Sequence, residues 1–275
     1  MIENRVIVIT GASDGIGAAS ARQLAGKGEH VVLVGRSPEK TRALADELGR
    51  PYYVADFADL SQVRELAGKL RHAYPRIDVL ANNAGGIFAQ ENTADGLDKT
   101  LQVNHLAPFL LTHLLLDRLI ASRAAVIQTA SVGARIFGHI DLDDLGNARR
   151  WSANKAYGDA KLANILFTRE LHRRFHGEGL SAVAFHPGNI ASNFASETSS
   201  MMRFIYHTPL RRLLTSVDKG GEALTWLVGE TSGARWRSGE YYENARIAKT
   251  NPQADDVDLA KRLWERSEEL VGVRV

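Results

Sequence analysis

The chain has 275 residues, 44% of them apolar and 24% charged, with a formal net charge of +2 and no cysteine. That length and apolar content suit one large α/β domain with a sizeable core and exclude a disordered chain. The near-balanced charge gives no argument for nucleic acid, and the lack of cysteine excludes disulfides, thiolate nucleophiles and Cys-ligated zinc.

Val6, Ile7, Val8, Ile9 and Thr10 form a β-branched run without alternation, which predicts a strand buried on both faces. Gly11, Gly15 and Gly17 follow in a Gly-x3-Gly-x-Gly turn, distinct from G-x-G-x-x-G, and small, helix-favouring residues come next. A glycine turn opening a helix lets backbone N–H groups approach a pyrophosphate. His30 to Gly35 predicts a second strand, and Pro38 opens a helix to about Leu48. Tyr52 to Ala55 predicts a third strand ending at Asp56, then a helix capped at Asp59 or Ser61 and running through about Tyr74. Ile77 to Ala81 predicts a fourth strand ahead of Asn82, Asn83, Ala84, Gly85 and Gly86. One long helical region is expected over Asp95 to about Ser122. Its most apolar part, Leu106 to Ile120, carries Thr112, His113, Asp117 and Arg118 and so reads as core, not as a membrane span. Met1 to Thr10 is too short and strand-like for a signal peptide.

Ala125 to Thr129 predicts a fifth strand ending at Ser131, and a loop then leads to a long helix from Ser152 to about Phe175. Leu180 to Phe185 predicts a sixth strand before His186, Pro187 and Gly188. A helix near Val217 to Val228, a seventh strand at Gly239 to Tyr242 and a last amphipathic helix at Asp258 to Leu270 complete the chain. Strands alternating with helices imply a single-domain, doubly wound parallel sheet of Rossmann type, with seven strands in the order 3-2-1-4-5-6-7 and helices on both faces. In such a sheet ligands bind beyond the carboxyl ends of the strands. The glycine turn, Arg36, Asp56, Asn82 to Gly85, Ser131 and Pro187–Gly188 all fall there.

Tyr157 and Lys161 lie four apart on the long helix and share a face. A tyrosine hydroxyl is a poor base at neutral pH, and a neighbouring cation favours its phenolate. Taken together, Thr10-Gly11-x3-Gly15-Ile16-Gly17, Asn82-Asn83-Ala84-Gly85, Asn104, Ser131, Tyr157-x3-Lys161 and Pro187-Gly188 resemble the short-chain dehydrogenase/reductase family over essentially the whole chain. The stretch Tyr157-Gly-Asp-Ala-Lys-Leu-Ala-Asn164, the long gap from Ser131 to Tyr157 and the ending Arg262-Leu-Trp-Glu-Arg-Ser-Glu are similar to its retinol-dehydrogenase-like branch. Ala160 departs from the Ser usual before the lysine there.

The resemblance implies a catalytic set of Asn104, Ser131, Tyr157 and Lys161. Tyr157 is the general acid/base, Lys161 tunes it and holds the nicotinamide ribose, Ser131 bonds the substrate oxygen, and Asn104 holds a water linking Lys161 to solvent. It implies a cofactor site of Gly11, Ser13, Asp14, Gly15, Ile16, Gly17, Arg36, Ser37, Asp56, Phe57, Asn83, Ala84, Gly85, Tyr157, Lys161, Pro187, Gly188, Ile190 and Ser192. NADP(H) is expected over NAD(H), because Gly35 stands where an acidic residue would bind the ribose 2′-OH and Arg36 follows it; Asp14 opposes this mildly. The expected protein is a soluble, cytoplasmic NADPH-dependent carbonyl reductase, or the reverse alcohol dehydrogenase. It acts on a small-molecule apolar carbonyl or alcohol, a bulky hydrophobic ketone fitting better than a sugar or charged acid, beneath a lid at about residues 193–214, with no nucleic-acid partner and a homo-oligomer left open. The alternatives are an idle NADP(H)-binding sensor, an NAD-dependent alcohol dehydrogenase and a nucleotide-sugar epimerase, the last opposed by the short chain after strand six. His139, Asp141, Asp143 and Asp144 read as a solvated loop in place of a metal site. His105 and His186 read as packing residues with backbone contacts, and Arg211 and Arg212 as a solvated face.

Overall fold

In the computed structural model, which describes residues 5–188, 216–229 and 235–273, the apolar runs become the strands of one sheet. β1 (Val6–Thr10) lies between β2 (His30–Gly35) and β4 (Val79–Asn82), with β3 (Tyr52–Val54) beyond β2. β5 (Ala125–Thr129), β6 (Ser181–His186) and β7 (Tyr241–Glu243) continue in parallel on the other side. The order is β3-β2-β1-β4-β5-β6-β7-β8, as expected from the sequence but with one strand more. β8 (Arg246–Ile247) returns antiparallel along β7 through Asn244 and Ala245, both at positive φ. A two-residue turn of that kind matches the twist of a hairpin.

Successive side chains of β1 point to opposite faces, so the β-branched run serves two cores. Ile7 and Ile9 join Leu24 of α1 (Gly15–Gly26), Leu44 of α2 (Pro38–Leu48) and Leu224 of α9 (Val217–Gly229). Val8 joins Val63 and Leu66 of α3 (Leu60–Ala73), Leu110 of α5 (Ala107–Leu114) and Phe167 of α8 (Ala153–Phe175) on the other face. The last helix, α10 (Val257–Val271), adds Trp264 to that second core. Among the described residues no helix is long and apolar enough to cross a membrane.

The continuous helix expected over Asp95 to Ser122 is instead broken. Asp98 caps α4 (Lys99–Leu101), Gln102–Leu106 is a π-helical turn, and α5 and α6 (Leu116–Ala121) meet at Leu115. Pro108 supplies the reason for the first break: it has no N–H to give the carbonyl four residues back, and its ring crowds that carbonyl. The ladder widens there, and Ala107 N–H bonds Gln102 O, five residues away. The expected lid at 193–214, Ile190, Ser192, Arg211 and Arg212 lie outside the described residues.

Candidate active site

The site is built where β1, β4 and β5 end. Thr10, the last residue of β1, is fully buried, and its Oγ accepts N–H bonds from Asn83 (3.0 Å) and Ala84 (3.1 Å). The Asn83 side chain answers by donating to Thr10 O (3.1 Å) and Gly11 O (3.4 Å) and accepting from Thr129 Oγ1 (3.2 Å). Asn83 therefore ties three strand ends together with the amide that the resemblance gave to the cofactor. Gly11 has φ +65°, and a Cβ there would come 2.8 Å from Ala84 Cα; one at Gly17 would come 2.3 Å from Gly11 O. Only glycine permits the turn to be drawn this tightly against the end of β4.

Asp14 caps α1, accepting from Gly15 N–H at 2.7 Å, and its other oxygen pairs with Lys40 Nζ at 2.9 Å. The charge that the sequence set against a phosphate is thus partly offset by a lysine. Arg36 is exposed directly after β2, and Ser37 caps α2 through its Oγ while keeping its own proton to donate. Asp56 Oδ1 accepts from Ala58 N–H at 2.9 Å. The Phe57 ring is 4% exposed and packs in the core.

Ser131 and Tyr157 meet around Gly133, on α7 (Gly133–Ile136). A Cβ at Gly133 would lie 3.3 Å from Tyr157 Cε1 and 3.4 Å from Ser131 Oγ. Ser131 Oγ accepts Gly133 N–H at 3.1 Å, which leaves its O–H as a donor. Four residues on from Tyr157, Lys161 is 1% exposed, and its Nζ lies 5.5 Å from the Tyr157 ring centre and donates to Thr129 O at 2.9 Å. Burial pushes its amine down from 10.5 to about 7. Asn104 is fully buried in the π-turn. Its Oδ1 accepts Gly86 N–H (3.1 Å), and its Nδ2 donates to Gly86 O (2.8 Å) and Thr100 O (2.9 Å). A Cβ at Gly85 would stand 2.5 Å from Asn104 Oδ1 and 3.1 Å from Lys161 Nζ, so both groups border one small space beside Gly85. Pro187 and Gly188 close the end of β6.

The sequence did not single out Gly158, Tyr241 or Glu243. Gly158 N-terminally flanks the turn that carries Lys161, and a Cβ there would strike Phe137 Cβ at 2.7 Å and Gly138 N at 2.8 Å. Tyr241 donates to Glu243 at 2.9 Å, and burial together with the Glu243 and Tyr157 charges pushes its hydroxyl up. His186, beside Glu243 in the strand register, is held below its ordinary value by burial. His105 is packed as expected, but its ring bonds Asn164 and Ser267 side chains, not backbone. In the loop after α7, Asp141 and Asp144 accept the backbone N–H groups of Asp143, Ala148 and Arg149.

The profile of the short chain dehydrogenase family matches residues 5–203, and the chain belongs to that family. It is an oxidoreductase of the kind that transfers hydride with a nicotinamide cofactor. A Streptomyces sp. (strain C5) protein with the provisional name daunorubicin C-13 ketoreductase DnrU is 42% identical over 279 residues, covering 98% of this chain and 94% of the relative. Human retinol dehydrogenase 13 is 35% identical over 285 residues, covering 99% and 86%. An Escherichia coli CFT073 protein with the provisional name short chain dehydrogenase, solved with NADPH, superposes with a TM-score of 0.67 at 25% identity, covering 86% of this chain and 95% of that one.

Proposed function

We propose that the protein is an NADP(H)-dependent reductase of bulky apolar ketones or aldehydes, or the matching alcohol dehydrogenase. The observation that carries this reading is the convergence of four groups: Ser131 and Tyr157 on one side, Asn104 and Lys161 on the other, at the carboxyl ends of β4 and β5. The tight glycine turn opening α1 and the buried Lys161, with one carbonyl partner and further donors to offer, fit a nicotinamide dinucleotide. Gly11, Ser13, Asp14, Gly15, Ile16 and Gly17 would hold its pyrophosphate, Arg36 and Ser37 its 2′-phosphate, and Asp56 its adenine. Ala84, Gly85, Tyr157, Lys161, Pro187 and Gly188 would hold its nicotinamide half, with Asn83 positioning the turn. When bound, the cofactor supplies or accepts the hydride.

The chain's own residues manage the oxygen and its proton. The Ser131 O–H donates to the substrate oxygen, where negative charge develops on reduction. Tyr157 gives that oxygen its proton in reduction and takes it back in oxidation. A cationic Lys161 beside the ring favours the phenolate form between these steps, and Asn104 would order the water that connects Lys161 to solvent.

Two observations favour NADP(H): Gly35 and exposed Arg36 follow β2 in place of an acidic residue, and Lys40 offsets Asp14. A ketoreductase-named and a retinol-dehydrogenase-named relative favour an apolar carbonyl or alcohol. The test is a panel of cyclic, long-chain and small polar carbonyls with both cofactors, in the native protein and in Arg36→Ala. Apolar ketones reduced best with NADPH, and an NADPH KM raised about 10- to 100-fold in Arg36→Ala with NADH unaffected, is the expected result. Higher efficiency with NADH, or with small polar carbonyls, overturns it. Tight NADPH binding without turnover of any carbonyl points instead to an idle binding protein.

A further inference from the structure

Behind the site lies a buried polar chain that the reaction as described does not use. Pro108 deprives the Asn104 carbonyl of its ordinary helical donor, since the residue four positions on has no N–H. A buried carbonyl left so is costly. Asn164, 1% exposed and three residues beyond Lys161 on α8, supplies the replacement: its Nδ2 donates to Asn104 O at 3.0 Å. Because that Nδ2 is the donor, Asn164 Oδ1 must accept, and it does so from His105 Nδ1 at 3.2 Å. His105 Nε2 lies 3.0 Å from Ser267 Oγ on α10. Burial lowers the His105 ring to about 4, so it is neutral, and the Asn164 oxygen it faces at Nδ1 draws its single proton there. The Ser267 hydroxyl donates to Leu263 O at 2.7 Å, the i−4 bond of a helical serine, and Nε2 lies against the same hydroxyl oxygen. Phe109, Phe167 and Trp264 wall the chain off, and His105 stacks edge-on to Phe167 with ring centres 6.1 Å apart.

We infer that Asn164 is a positioning residue for the reaction, holding the widened π-turn through the Asn104 carbonyl while His105 fixes the direction of its amide. The inference rests on the proposed reductase reading. The π-turn carries Asn104, and α8 carries both Lys161 and Asn164. One hydrogen bond thus joins the element that presents the Asn104 amide to the helix that presents the lysine. Released from Asn164, the Asn104 carbonyl loses the donor that stands in for the missing Pro108 N–H, and the turn can tighten or rotate. Asn104 Oδ1 would then leave the small space it borders with Lys161 beside Gly85. Misplacing a positioning group by a fraction of an ångström to one ångström is costly in rate.

The test uses four variants of the full chain, assayed with NADPH and the ketone that the native protein reduces best. Asn164→Leu removes both arms of the amide. Asn164→Ser removes them with less bulk and keeps the test alive if the leucine variant does not fold. His105→Asn places an amide N–H near Nδ1 and keeps the arm to Asn164, whereas His105→Gln places it near Nε2 and keeps only the arm to Ser267. The expected result is a kcat lowered about 10- to 100-fold in both Asn164 variants and in His105→Gln, with a smaller change in KM. His105→Asn recovers most of the native kcat. Amide exchange over 102–114 speeds up in the same three variants and stays near native in His105→Asn. A merely structural chain lowers Tm in all four alike and leaves kcat unmoved, and that outcome overturns the proposal, as does unchanged exchange over 102–114. A native protein that reduces no carbonyl counts against the reductase reading, and the exchange pattern alone then decides the role of Asn164.

Discussion

At the scale of single residues the proposed reaction separates groups that react from groups that aim. Tyr157→Phe keeps the ring but loses the hydroxyl that moves the proton in the proposed reaction, so turnover should fall about 10²- to 10⁴-fold while NADPH affinity stays near native. Retention of more than roughly a tenth of native activity would move the proton donor elsewhere. Lys161 makes a separate prediction through stability. Its amine is at about 7 in the folded chain, against an ordinary value of 10.5. Between those values the unfolded chain holds the extra proton, so this group's contribution to stability rises with pH across the window. Below about 7 the buried charge weighs on the fold in full. Lys161→Met should therefore raise the Tm of the cofactor-free protein by more at pH 7 than at pH 10, and equal gains at both values would refute the buried cation. Tyr157 and Lys161 were legible from their spacing combined with the other motifs. Gly158 was not, because a lone glycine in a helix gives no sign that another loop lies against it.

The elements decide whether those residues meet. α7 and the loop after it press on α8 at Gly158, and the backbone contact leaves no room for a methyl group. Gly158→Ala should lower stability by about 1–3 kcal/mol, measured by urea unfolding, despite alanine's better helix propensity. It should also lower kcat/KM by spreading Ser131 from Tyr157; a more stable and equally active variant would show the contact to be slack. Most helices and strands were legible to within two or three residues, because β-branched runs, caps such as Ser37 and Ser152, and the Gly49 stop act locally. The π-turn was hidden inside an apolar stretch, although Pro108 was the available signal. β8 escaped because it is two residues long and its turn is Asn-Ala, without the glycine that usually marks such a hairpin.

For the whole molecule, strand order followed from alternation of strands and helices and from the handedness of their crossovers. The cofactor cleft follows from that order, since β1 and β4 send their connections in opposite directions. Binding there joins the ends of several strands and is linked to global stability. At a hundredfold excess over Kd, NADPH should add about 2.7 kcal/mol and raise Tm by roughly 5–10 °C, and NADH at the same concentration should add less. An equal shift from both would remove the basis for cofactor preference. The two margins of the sheet have a different consequence. β3 is three residues long and enters from Pro51, and β8 is two residues long behind a sharp hairpin, although Tyr52, Val54 and Ile247 are exposed along them. Margins so short offer an incoming chain too few N–H and C=O groups to template growth, even with apolar side chains on display. Concentrated stocks should therefore resist fibril formation that starts from either margin.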